Sequence, residues 1–179
     1  GGQRLGAGEG ATRIAGRVLV SGTAGVAISQ LTIGGVAGNA ITGYDGLRLQ
    51  GATGCTISNV TIEYVSSSTD CSGVSIITSG NHTFTNLTVE QITGGGLALG
   101  VRVCSNVGGC QFTNTVTRFM SSGSNCASGL YLDPSTNNCT FTNNTISDLT
   151  STGLFPAGIY VHAGNHHTFS NTTIQTLQG

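Results

Sequence analysis

The segment Cys139-Thr-Phe-Thr-Asn143-Asn-Thr-Ile146 decides how this chain folds, because it is one of five near-copies. The others are Cys55-Thr-Ile-Ser-Asn59-Val-Thr-Ile62, His82-Thr-Phe-Thr-Asn86-Leu-Thr-Val89, Cys110-Gln-Phe-Thr-Asn114-Thr-Val-Thr117 and His167-Thr-Phe-Ser-Asn171-Thr-Thr-Ile174. A weaker copy, Gly25-Val-Ala-Ile-Ser-Gln30-Leu-Thr-Ile33, precedes them. The first positions fall at 25, 55, 82, 110, 139 and 167, so the steps are 30, 27, 28, 29 and 28 residues. A second element keeps time with the first: Gly46-Leu-Arg-Leu49, Gly73-Val-Ser-Ile76, Gly100-Val-Arg-Val103, Gly129-Leu-Tyr-Leu132 and Gly158-Ile-Tyr-Val161.

Apolar residues alternate within each copy, which is strand periodicity rather than helical. Short strands joined by Gly-, Ser- and Asn-rich corners at a fixed period describe the coils of a parallel β-solenoid. About six coils stacked roughly 4.8 Å apart make a rod near 30 Å long. Side chains at one repeat position then form a column. Asn59, Asn86, Asn114, Asn143 and Asn171 share such a position, with Gln30 in the weaker copy, and are expected as an asparagine ladder at a tight bend. Ile57, Phe84, Phe112, Phe141 and Phe169 are expected as the inward stack. The chain is read as one all-β domain over 1–179, with a lead-in coil at 1–24 and regular coils over 25–179.

Composition narrows the function classes. Charged residues are 7% of the 179, against about 25% in an ordinary domain. All six basic residues are Arg, and the net charge is −1. That is not the electrostatic footprint of a nucleic-acid partner. No apolar run reaches the ~18 residues of a membrane span. The opening Gly1-Gly2-Gln3-Arg4 has no Met and no signal-peptide pattern, so a processed or excised piece of a longer chain is expected. Six cysteines without zinc-finger spacing favour an oxidising, extracellular setting.

The repeat, Gly-[Leu/Ile/Val]-x-[Leu/Ile/Val] followed by [Phe/Ile]-[Ser/Thr]-Asn-x-Thr-[Ile/Val], resembles that of right-handed parallel β-helix proteins of the pectate-lyase-like superfamily. The resemblance covers about residues 22–179. Leu5-Gly-Ala-Gly8 and Thr12-Arg-Ile14-Ala-Gly16 look like the lead-in coil of such proteins. The fold it implies is a right-handed parallel β-helix of about six coils near 28 residues each. Relatives in that superfamily include polysaccharide lyases and hydrolases, epimerases, phage tail spikes and non-catalytic adhesins, so the fold alone does not choose a function. The polygalacturonase-like signatures Asn-Thr-Asp, Asp-Asp, Gly-His-Gly and Arg-x-Lys do not occur. Nor does a run of acidic residues of the kind that holds calcium in pectate lyases.

The outer face of the Gly-initiated strands is the sugar-binding groove that the resemblance implies. Its outward column is Arg48, Ser75, Arg102, Tyr131, Tyr160, and two residues further it is Gln50, Ile77, Cys104, Asp133, His162. Tyr rings pack on sugar faces, and Arg binds a uronic carboxylate as a bidentate fork. Arg48, Arg102, Tyr131 and Tyr160 are therefore the candidate substrate-binding residues. Asp133, His162 and Tyr131 are the candidates for proton transfer. The competing interpretation is an exposed ladder whose aromatic rings merely shield strand edges.

Glu63 and Glu90 share a position with Arg118. They are a weak candidate pair for a cation such as calcium, against an exposed ion-pair ladder. Otherwise no metal or cofactor is expected. Thr-x-Thr columns such as Thr83–Thr85 and Thr140–Thr142 raise an ice-binding or filament-forming alternative, with Gln111 interrupting one column. Six Asn-x-Ser/Thr sequons begin at Asn59, Asn81, Asn86, Asn138, Asn143 and Asn171, and only Asn81 and Asn138 lie outside the ladder. Cys110 and Cys139 share a column in adjacent coils, about 5 Å apart, and are the disulfide candidates. His82, His166 and His167 are expected as structural corner residues.

The expected function is an extracellular, non-enzymatic β-helix module on a cell surface or virion appendage (tail spike, fibre or adhesin) that contacts a polysaccharide or surface glycan. Self-association is expected as a trimer or end to end. The alternative is a polysaccharide-degrading lyase or hydrolase with its groove on the same Gly-Leu-Tyr face.

Overall fold

A computed structural model describes residues 4–5, 12–105 and 107–179. Of the expected lead-in at 1–24, residues 1–3 and 6–11 lie outside the described residues. Among the described residues there is no helix, only parallel strands in two sheets wound into about six coils. The six-stranded sheet holds the Gly-initiated strands in order along the rod: Val18–Ser21, Asp45–Gln50, Cys71–Ile77, Ala98–Cys104, Ala127–Leu132 and Pro156–Val161. The larger sheet covers the other sides. Its strands Ala27–Gly34, Thr56–Ser67 and Thr83–Gly94 run unbroken around the asparagine bend. In later coils the chain breaks there, as between Gln111–Thr113 and Val116–Ser122. The break coincides with a change of the inward residue from Val60 and Leu87 to Thr115 and Asn144. The Thr115 N–H donates to Asn144 Oδ1 at 3.0 Å instead of to a strand carbonyl.

The registers are those of the repeat. Ile57 pairs with Phe84, Phe84 with Phe112, Phe112 with Phe141 and Phe141 with Phe169. Successive Phe rings stack at 4.5, 4.8 and 4.9 Å with planes within 8° of parallel. Phe84, Phe112 and Phe141 are fully buried, with Leu47, Leu49 and Ile76 across the lumen. The glycine that starts each Gly-initiated strand is explained by close approach, not by φ. A Cβ on Gly46 would meet the Ile62 side chain at 2.5 Å and the Gly73 carbonyl oxygen at 3.0 Å, and one on Gly158 would meet Ile174 at 2.5 Å.

Corners are made by single residues in the left-handed region. The ladder residues Asn59, Asn86, Asn114, Asn143 and Asn171 have φ of 50–55°. Their amides bond one another along the rod at 2.9, 3.0, 3.4 and 3.1 Å. These bonds offset a conformational cost of roughly 1–2 kcal/mol per residue. A second left-handed column, Tyr64, Gln91, Phe119, Asp148 and Thr176, has φ of 52–58° without sharing any residue type. There the bend is imposed by the paired strands on either side rather than by local preference.

The column Cys55, His82, Cys110, Cys139 and His167 has one physical role. The Cys55 N–H donates to His82 Nδ1 at 3.1 Å, and the Cys139 N–H donates to His167 Nδ1 at 3.4 Å. Backbone hydrogen bonds from Val26 to Cys55, from His82 to Cys110 and from Cys110 to Cys139 meet sulfur in the same way. Sulfur and imidazole thus serve as interchangeable acceptors for a buried N–H that follows a corner. This overturns the disulfide expectation for Cys110 and Cys139. They are neighbours in adjacent coils, but all six cysteines are free, buried thiols. Their thiols share a hydrogen bond, and that bond followed by burial pushes the Cys110 thiol up.

Candidate functional site

On the Gly-initiated sheet, inward Leu and Val alternate with outward polar residues, so each strand offers one or two side chains to the same exposed face. Arg48, Ser75, Arg102, Tyr131 and Tyr160 align in register across five coils. Two kinds of site follow one another along this column. Toward the N-terminal end it is ionic. Arg48 Nη1 bonds Asp45 Oδ2 at 3.2 Å, and its Nε donates to Gln50 Oε1 at 3.0 Å. Arg102 reaches forward one coil and holds Asp133 Oδ2 through Nη2 at 3.1 Å and Nε at 3.4 Å. Ser75 between them is buried, which leaves a cleft of about 100 Å³ lined by Tyr44, Asp45, Arg48, Asp70, Ser75 and Arg102, among others.

Toward the C-terminal end the column becomes aromatic. Tyr131 and Tyr160 stack at 5.0 Å with planes 10° apart. Phe155 and His162 flank Tyr160 at 6.4 and 6.2 Å. One face of each tyrosine is therefore spent on the other, so a sugar meets the remaining face, the ring edges and the phenolic hydroxyls. Burial, ahead of the nearby Asp133 charge, pushes the Tyr131 phenol up.

The structure brings Arg102, Tyr131, Asp133, Tyr160 and His162 onto one face in three successive coils. It does not give them a proton relay: the Asp133 carboxylate is bound by Arg102. Among the described residues no hydrogen bond joins His162 to Asp133. Cys104, expected in the outward column, is buried, with its Sγ 3.5 Å from the Ile76 carbonyl oxygen. Glu63 and Glu90 pair in register on the other sheet. Each has its own arginine: Glu63 bonds Arg13, and Glu90 accepts from Arg118 at 2.6 Å. Among the described residues no three His, Cys, Asp or Glu side chains converge as a metal-ligand set.

Asp45 is the residue that repeat-based reasoning passed over. It occupies the column of Ser72, Leu99, Ser128 and Ala157. It is the single carboxylate there and is 5% exposed. Burial pushes its carboxyl up, partly countered by Arg48. The signal was present as the one charged residue at a position that is otherwise small or apolar. Cys71, beside it, has its thiol pushed up to about 12 by burial and then by the Asp45 and Asp70 charges.

A solenoid of parallel strands with an outward column of arginine and tyrosine is a parallel β-helix by class. The family described as right handed beta helix region matches residues 16–179, and the chain belongs to that family. No curated protein and no solved structure matches the chain.

Proposed function

We propose that this chain is an extracellular β-helix module of a cell-surface or virion appendage, and that it contacts a polysaccharide or surface glycan without cleaving it. The observation that carries this reading is the outward column Arg48, Arg102, Tyr131 and Tyr160, a row of half-buried hydrogen-bonding and aromatic side chains interrupted by the buried Ser75. Guanidinium groups bind carboxylate or sulfate in a fork, and phenols combine apolar edge with a hydroxyl. The absence of catalysis is supported by Asp133 being held in its ion pair with Arg102 and by the raised Tyr131 phenol. Self-association, end to end or as a trimer, belongs to the same reading.

A second reading, a polysaccharide lyase or hydrolase on the same face, is favoured by one observation. Burial pushes the Asp45 carboxyl up despite its ion pair with Arg48, and a raised carboxyl is what a general acid requires. One assay separates the two. The protein is incubated with a panel of acidic and neutral polysaccharides, and unsaturated products, new reducing ends and retention are measured. Retention without cleavage, weakened at least tenfold by Tyr131→Ala, is the expected result. Cleavage that disappears in Asp45→Asn, Tyr131→Ala or His162→Ala overturns the non-enzymatic reading.

A further inference from the structure

The rod has two columns of left-handed asparagine, and only one is complete. At the first bend every coil from Asn59 to Asn171 supplies an amide, and these amides satisfy one another. The other column lies at the corner after the Gly-initiated strands and runs Gly54, Asn81, Gly109, Asn138, His166, with φ of 55–68°. Glycine removes the rung between the two asparagines. Among the described residues, neither the Asn81 nor the Asn138 side chain has a hydrogen-bond partner, and both are exposed. The Asn81 Oδ1 leans into the space that a Cβ on Gly109 would need. Parallel bridges through Gly80, Gly108 and Asn137 hold the floor of this gap in register. The resulting groove has a volume of about 520 Å³, with Thr78 and Ser79 on its wall and no charged residue in its lining.

We propose that this interrupted corner is a binding site for a neutral glycan, separate from the arginine–tyrosine face and independent of the function proposed for it. A carboxamide presents one acceptor and two donors in a plane, which suits a pair of neighbouring sugar hydroxyls. Two such groups stand two coils apart, about 10 Å by the strand spacing. That separation allows each amide to hold a different ring of one chain lying along the rod. The lining has no cation, so it does not select for an acidic polymer. At the complete ladder the same amides are consumed by one another, so the missing rung makes the site.

The test uses the full chain made without glycosylation and labelled for NMR. It is titrated separately with cellohexaose, laminarihexaose, maltohexaose and mannohexaose. The side-chain NH2 signals of Asn81 and Asn138 are expected to shift and saturate with at least one of the four. Gly109→Asn restores the missing rung with a residue that takes the same φ at Asn81 and Asn138, so it keeps the fold while closing the gap. It is expected to weaken binding at least tenfold while the protein stays folded, the Asn81 carboxamide swinging aside for the new Cβ. Asn138→Gly, which keeps the corner and deletes one amide, is expected to do the same. No shift with any of the four sugars, or unaltered affinity in Gly109→Asn, overturns the proposal. So does loss of the shifts in Tyr131→Ala, because the sugar then sits on the tyrosine column.

Discussion

The rod carries two stacks of aromatic rings with nearly the same geometry and opposite fates. Phe84, Phe112, Phe141 and Phe169 stack inside at 4.5–4.9 Å, and Tyr131 and Tyr160 stack outside at 5.0 Å. The backbone ladder sets the spacing in both, so ring geometry alone does not mark a binding site. What separates them is how far the column tolerates change. The inner column is apolar in every coil from Ile57 onward, because a buried position must fill the same space each time. The outer column passes from Arg48 through the buried Ser75, then Arg102, to tyrosine, since the longer side chains reach solvent and need not fill a fixed space.

Deleting one ring from each stack gives the sharpest contrast. Phe112→Ala leaves a cavity between two stacked neighbours and is expected to cost about 3–5 kcal/mol in denaturant unfolding. Tyr131→Ala, on the half-buried outer column, is expected to cost less than about 1 kcal/mol. Comparable losses for the two would mean that the outer tyrosines belong to the core.

The inner wall also has a polar member whose cost depends on pH. His82 is fully buried, and burial drags its imidazole from 6.5 down to about 4. The unfolded chain therefore binds the proton more readily. This contribution is complete above about pH 6.5, is lost as pH falls towards 4, and levels off below that. The window corresponds to about 3 kcal/mol. Unfolding free energies from denaturant titrations at pH 7 and pH 4 should differ by this amount more in the native chain than in His82→Cys, which places a residue already found in that column. An identical pH dependence in the two proteins would show that His82 is not held neutral.

The smallest effect has the opposite sign. Thr117 Oγ1 is buried without a partner at the position that Val89 occupies one coil earlier. Thr117→Val keeps the shape and removes an unsatisfied hydroxyl, so it should stabilise the rod by about 1 kcal/mol. A drop in melting temperature instead would indicate an internal water bonded to that hydroxyl.

The fold was legible in the sequence because its rules are written five times over. The asparagine ladder, the Phe stack and the Gly-initiated strands each show as a repeated residue at a repeated distance. The Cys/His column was equally visible and was misread. Two thiols in adjacent coils have the spacing of a disulfide, whereas the exchange of cysteine for histidine at the same position points to a shared duty as hydrogen-bond acceptor. The corner at Tyr64, Gln91, Phe119, Asp148 and Thr176 was not legible at all. No side-chain preference makes it, so no residue type recurs. Asp45 was hidden for the reverse reason: reading by repeat averages away a residue that departs from its column in one coil. The candidate face itself was legible as a set of positions, but the clamp of Arg102 on Asp133 and the self-stacking of the tyrosines needed three dimensions.

The register of about 28 residues also fixes how the molecule yields to force. Each strand bonds only to its counterparts one coil before and after, so a pull along the rod loads the terminal coil while the others keep their partners. Freeing one coil releases about 28 residues, or roughly 95 Å of extended chain. Under tension the rod therefore lengthens in discrete steps, and each released coil can wind back onto the edge it left.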